Sequence, residues 1–194
     1  MRTDLVIRPE RRDDVAAVRS LLDAAFPVGQ GREHAAESVL VDGLRADGDL
    51  LPELTFVAEL DGEVVGSVVC SRARMGQGPS VGLGPLAVRP QVQGEGIGSA
   101  LVAAVVVTAD QRGEPSLVLL GDPGYYAIFG FETAAGHGIA STGPGEDRNL
   151  QVRPLRAWRP QLAGPFAYAP AFARLADEGA GRRGDDLEPR STGR

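Results

Sequence analysis

The sequence predicts an α/β protein built on a mixed β-sheet, and three observations carry that prediction. LTFVAEL and EVVGSVVCSRAR are apolar-rich runs joined by Asp61-Gly62, a dipeptide that favours a tight antiparallel hairpin. VGLGPLAV leads through a glycine cluster into GIGSALVAAVVVTADQRG, a long helical pattern, and then into the wholly apolar SLVLLG. That strand–helix–strand order is a crossover between parallel strands, so parallel and antiparallel pairs share one sheet. Finally, two helical patterns precede the hairpin, which supplies helices beyond the crossover helix alone.

Element by element, DLVIRPE alternates Leu5 and Ile7 with polar neighbours and predicts a short first strand. From Arg11 to Phe26, Val15, Val18, Leu22 and Phe26 recur at spacings of three and four, an amphipathic helix ending before Pro27 and Gly29. A second helix is expected over Glu33 to Ala46, with Leu40 and Leu44 on one face. After the hairpin, residues 81–88 form a strand, residues 96–113 a helix stopped at Gly113, and SLVLLG a strand buried on both faces. GDPGYYAIFGF reads as a turn and short helical segment. HGIAST and NLQVRPL are expected to be the last two strands, divided by the polar GPGEDRN. One domain over residues 1–175 is expected. Residues 176–194 carry no apolar periodicity and hold nine charges in the eighteen residues from Asp177, so a disordered tail is expected there.

Composition removes several classes of function. The chain has 194 residues, a net charge of −6 and no lysine, so arginine supplies all 20 positive side chains. Scattered arginines on an acidic chain make nucleic acid a poor partner. No apolar run reaches the ~20 residues of a membrane span, and the N-terminus lacks the apolar core of a secretory signal. A cytoplasmic protein without membrane attachment is the expectation. A single cysteine, Cys70, excludes an intrachain disulfide and a multi-cysteine zinc site, and no metal is expected. Cys70 lies in an apolar run, which argues for core packing over an acyl-carrying role.

The glycines of QGEGIG, residues 93–98, sit where a strand gives way to a helix. A nucleotide P-loop is ruled out, because it needs a lysine. The dinucleotide fingerprint fails too: counted from Gly94 its third position is Ser99, and from Gly96 it is Leu101. A frame that fits is Q-x-x-G-x-G, made by Gln93, Gly96 and Gly98. Helix N-termini carry unpaired N–H groups and partial positive charge, so glycines here let backbone amides approach an anion. A glycine-rich turn without a ligand remains the alternative.

In this frame the sequence resembles the GNAT superfamily of acyl-CoA-dependent N-acyltransferases, whose signature [QR]-x-x-G-x-[GA] follows a strand and opens a long helix. The resemblance extends through LGPLAVRPQVQGEGIGSAL (residues 83–101), VLLGDPGYYAIFGF (residues 118–131) and the Y-x-x-A-F of Tyr168 to Phe172. It implies a GNAT fold: a mixed, mostly antiparallel sheet splayed at the cofactor-binding strand, with helices on both faces. It implies acetyl-CoA as co-substrate and an amine acceptor, on a small molecule or a protein, attacking directly in a ternary complex. By the same resemblance, the backbone of Leu86, Ala87 and Val88 pairs with the pantetheine arm. Gln93, Gly94, Glu95, Gly96, Ile97, Gly98 and Ser99 hold the pyrophosphate, and Tyr125 packs or touches the cofactor. Tyr126 protonates the departing thiolate, a role suited to a phenol whose ordinary pKa is about 10.

Two positions depart from a bacterial subgroup with these motifs: Ser67 stands where histidine is common, and Ile128 where arginine is common. The second removes a positive charge near the CoA phosphates. No general base is singled out. Glu33, His34, Glu37 and Glu59 are candidates, each with an ordinary surface role as the alternative, and a water chain would serve as well. A non-catalytic acyl-CoA-binding module is the competing function. A monomer or homodimer is expected.

Overall fold

The computed structural model describes residues 5–142 and 149–175. Among these residues nine strands form one sheet. The first, β1 (Leu5–Pro9), pairs antiparallel with β2 (Phe56–Leu60), which pairs antiparallel with β3 (Glu63–Met75), and β3 with β4 (Gly78–Val88). Between β1 and β2 lie α1 (Val15–Ala25), entered through a 3-10 turn at Arg12–Asp14, and α2 (Ala36–Asp47). Strand β4 continues into α3 (Ile97–Gln111) and then β5 (Ser116–Leu120), which returns parallel to β4. The mixed sheet expected from the hairpin and the crossover is therefore present.

The helices cover both faces of the sheet because consecutive side chains of a strand point to opposite sides. Val68 and Cys70 of β3, with Val81 and Leu83 of β4, pack beneath Ile97, Leu101, Val102 and Val105 of α3. Val64 and Val69 of β3 and Ala87 of β4 face the other way, against Val18, Leu21 and Leu22 of α1 and Leu40, Val41 and Leu44 of α2. Gly66 sets how closely α3 approaches: a Cβ there would lie 3.0 Å from Ile97 Cγ2 and from Leu101 Cδ1. A glycine at this point lets the first turn of α3 sit down on the hairpin, which fixes where its N-terminus points.

Cys70 is fully buried on the α3 face, and that burial pushes its thiol well above the ordinary range. A thiol held protonated in a dry core is a poor nucleophile, so the packing role holds and the acyl-carrier idea falls.

The latter part of the chain differs from expectation. After α4 (Pro123–Tyr126) and a 3-10 turn at Ala127–Phe129 come β6 (Glu132–Thr133), a second 3-10 turn at Ala134–His137, and β7 (Ala140–Ser141). HGIAST is thus a strand over two residues only, because His137 belongs to the turn. NLQVRPL does supply β8 (Leu150–Pro154), which lies antiparallel to β5. It is not the last strand. β9 (Pro165–Tyr168) joins the far end of β3 through Ala73↔Tyr168 and Met75↔Phe166. Strand β3 has thirteen residues and outruns β2, and its unpaired end is the edge β9 completes. The second helix starts at Ala36, three residues later than the periodicity suggests. The tail from residue 176 lies outside the described residues.

One ion pair ties the first strand to the first helix. Arg8 donates to both carboxylate oxygens of Asp14 at 2.6 and 2.9 Å and to Glu59 Oε2 at 2.8 Å, while the Arg11 N–H caps Asp14 at 2.7 Å. The Arg8 hydrogen bonds, working against burial, hold the Asp14 carboxyl below the ordinary carboxylate range. A depressed carboxylate stabilises the fold above its ordinary pKa, and that contribution fades as the pH falls through the depressed value. Asp14→Asn is accordingly expected to lower stability by about 2 kcal/mol in urea melts at neutral pH, because it leaves a nearly buried guanidinium half-paired. The gap between variant and wild type should shrink in acid.

Candidate active site

Strand β4 creates the opening. It pairs with β5 only at Val81↔Leu117 and Gly82↔Val118, after which the two strands part. On its other side β4 stays paired with β3 to its end, through Leu86↔Val68, Ala87↔Ser67 and Val88↔Gly66. One extra residue is accommodated at Gly84-Pro85, where three steps along β4 match two along β3. Such a bulge bends the strand and increases its twist, which helps the end of β4 swing away from β5. A length of β4 edge is left that an extended ligand can pair with.

Beyond β4 the chain turns through Pro90–Val92 and enters α3 by way of Gly94 and Gly96, whose φ values are +80° and +84°. Only glycine takes that left-handed region cheaply, and it aims the first amides of α3 outward. The Ala100 N–H closes the first helical bond on the Gly96 carbonyl, at 3.0 Å. The amides of Ile97, Gly98 and Ser99 have no acceptor within the helix. Gln93 braces the turn: its Nε2 donates to the Val88 carbonyl at 3.0 Å.

A cavity of about 410 Å³ lies in this angle. Its floor is formed by Leu86, Val88 and Val92, and its cradle by Gln93, Gly94, Gly96, Ile97, Gly98 and Ser99, with Tyr125 closing the side. Nine of the twelve residues predicted from sequence thus come together. Ala87 does not join them: its side chain is 2% exposed on the opposite face, against α1. Glu95 lies on the turn without lining the cavity, and Tyr126 stands one residue behind Tyr125. A larger cavity, about 990 Å³, lies between α1 and the β2–β3 turn, and its charged walls include the Arg8–Asp14 pair. It shares only Val92 with the cradle.

The two tyrosines are placed by a short, well-capped turn. Asp122 Oδ1 accepts from the Gly124 N–H at 2.9 Å, Pro123 opens α4, and the Tyr125 and Tyr126 N–H groups both close on the Asp122 carbonyl at 3.1 Å. The rings meet edge to face, with centroids 4.8 Å apart. Tyr125 reaches the cradle: a Cβ on Gly98 would come 2.8 Å from its hydroxyl. The Tyr126 ring packs over Gly121 and against Phe131, at a centroid distance of 5.7 Å. Burial, aided by Tyr125, pushes the Tyr126 hydroxyl up to about 12. It is therefore held in its protonated, proton-donating form.

Two supporting residues were not foreseen. Gln151 of β8 is 1% exposed and donates from Nε2 to the Gly121 carbonyl at 2.8 Å, fixing the strand end over which Tyr126 lies. Arg153, two residues on, donates to the Phe129 carbonyl and secures the end of the tyrosine turn. The alternation in LQVRP carried a hint, since it puts a glutamine and an arginine on the side opposite Leu150 and Val152.

The base candidates are already engaged in part. Glu59 is an ion-pair partner of Arg8. His34 Nδ1 lies 2.7 Å from Asp23 Oδ2, while Asp23 Oδ1 accepts from Ser38 Oγ at 2.6 Å and the Ala35 N–H at 2.8 Å. Burial works against ionisation of Asp23, yet the hydrogen bonds from Ser38, Ala35 and His34 prevail and lower its pKa. This knot locks the start of α2 onto α1. Glu33 is exposed and Glu37 half-buried. Ser67 is buried on the α1 face with no hydrogen-bond partner for its hydroxyl, and Ile128 is 74% exposed. Among the described residues no cluster of His, Cys, Asp and Glu is arranged to hold a metal, and no helix is long and apolar enough to cross a membrane.

A sheet opened beside its central strand, with a glycine-lined helix N-terminus at the mouth, defines the class of acyltransferases with the GNAT fold. The chain belongs to the acetyltransferase (GNAT) family, whose model matches residues 15–131, and it is an N-acetyltransferase of that family. It is 35% identical over 154 residues to the uncharacterized N-acetyltransferase YhbS of Escherichia coli K12, covering 78% of this chain and 87% of the relative. The crystal structure of E. coli YhbS in complex with CoA superposes with a TM-score of 0.78 at 32% identity, covering 90% of this chain and 94% of that one. A GNAT family acetyltransferase from Brucella melitensis in complex with acetyl-CoA gives a TM-score of 0.70 at 35% identity, covering 87% and 97%.

Proposed function

We propose that the protein transfers the acetyl group of acetyl-CoA to a primary amine, of a small molecule or of another protein, by direct attack in a ternary complex. The observation that carries this reading is the junction of three features: the free edge of β4, the amide cradle at the start of α3, and a protonated phenol beside them. The relatives crystallised with CoA and acetyl-CoA support it.

Leu86 and Val88 offer backbone groups along the free edge for the amides of the pantetheine arm, in the manner of an added strand. The amides of Ile97, Gly98 and Ser99 meet the diphosphate. The neutral amine attacks the thioester carbonyl carbon, a C–N bond forms, and the C–S bond breaks. Tyr126 gives its hydroxyl proton to the departing sulfur, and the nitrogen releases one to water. Tyr126 regains its proton from solvent, so no proton is gained or lost by the enzyme. Holding both reactants in one cleft supplies much of the acceleration.

Thiol release from acetyl-CoA over a panel of primary amines tests the reading. Amine-dependent release is expected. Tight binding of acetyl-CoA with no release for any amine would instead favour a non-catalytic acyl-CoA-binding module.

A further inference from the structure

The cradle is built without positive side chains, and that bears on which donors it accepts. None of the residues lining the 410 Å³ cavity is cationic, and the whole sequence contains no lysine. The arginines around it are turned elsewhere. Arg89, which leaves the end of β4, points to the α1 side, where it pairs with Glu63 at 2.7 Å and donates to the Val64 carbonyl at 3.2 Å. Arg153 donates to the Phe129 carbonyl and lines a separate hollow with Val106 and Val107. These lie two turns or more along α3 from Gly98, about 12 Å at 1.5 Å per residue. Arg112 stands at the far end of α3, against Glu53. The turn that walls the cradle through Tyr125 presents Ile128, 74% exposed, where it faces solvent.

We infer that the protein recognises its acyl donor by backbone amides and pantetheine contacts alone, and accepts thioesters of 3′-dephospho-CoA about as well as those of CoA. The inference rests on the CoA reading of the cradle given above. Hydrogen bonds between phosphate and arginine or lysine are about twice as strong as neutral ones and give a cofactor's phosphates their weight in affinity. Here the diphosphate meets amide N–H groups, and no cationic side chain lines the cradle to pair with a phosphate. On a chain of net charge −6 that phosphate adds long-range repulsion rather than attraction. Salt screens such repulsion, so added salt has no favourable ion pair to weaken.

Calorimetric titration of the full chain with CoA and with 3′-dephospho-CoA, each at about 50 and about 300 mM NaCl, tests this. The expected result is binding of both, with Kd values within about threefold of each other and no weakening at the higher salt. CoA binding tighter by about tenfold or more, or weakening about tenfold between the two salt concentrations, overturns the inference and leaves the CoA reading standing. Binding of neither nucleotide overturns both.

Discussion

Replacing Tyr126 with phenylalanine is expected to lower kcat about 100-fold while the Kd for acetyl-CoA moves by less than about threefold. The two effects separate because the hydroxyl and the ring do different things. The ring packs on Gly121 and Phe131 and meets Tyr125 edge to face, contacts that phenylalanine keeps. In the proposed mechanism the hydroxyl supplies the proton that turns the departing thiolate into a thiol. General-acid assistance of this kind is worth roughly 100-fold or more. The pH profile adds a second reading. Because burial raises the phenol to about 12, wild-type kcat should show no loss attributable to Tyr126 ionisation below about pH 10. A variant with an unaltered kcat would remove Tyr126 from the chemistry, though not from the fold.

Gly98→Val is expected to weaken acetyl-CoA binding about 100-fold, a cost of about 2.7 kcal/mol, with little change in thermal stability. The wild-type glycine leaves its own amide bare and leaves room for the Tyr125 hydroxyl, which lies 2.8 Å from the position of a Cβ. A branched side chain there both pushes the tyrosine off the cradle and screens the helix N-terminus from a diphosphate. The cavity loses its side wall and its donor together. The position faces the open cavity and not the core, so the helix itself should survive. Calorimetry together with a melting curve separates loss of binding from loss of fold.

Much of the site was legible in the sequence because local chemistry dictates it. Gln93 to Ser99 could be placed from glycine spacing after a strand, since backbone amides at a helix start need nothing from distant parts of the chain. Tyr125 and Tyr126 came from the family resemblance of GDPGYYAIFGF, and the turn that carries them is set by Asp122 and Pro123 next door. The hairpin at Asp61-Gly62 was equally local. What could not be read was long-range. Strand β9 exists because β3 outruns β2 and leaves an edge to fill, a fact about lengths far apart in sequence. The same holds for Gln151 and Arg153, which act on the carbonyls of Gly121 and Phe129 from a strand some 24 to 30 residues later. Ala87 was expected to serve the cofactor through its backbone, and strand alternation sends its side chain to the α1 face.

Anion binding at the cradle depends most directly on the bare amides at the start of α3. Nuclear magnetic resonance titration of 15N-labelled protein with CoA reads them one by one. The prediction is that the largest shifts fall on Gly94, Gly96, Ile97, Gly98 and Ser99, with smaller ones along Leu86 to Val88. Shifts confined to the cavity between α1 and the β2–β3 turn, or no shifts at saturating CoA, would contradict it.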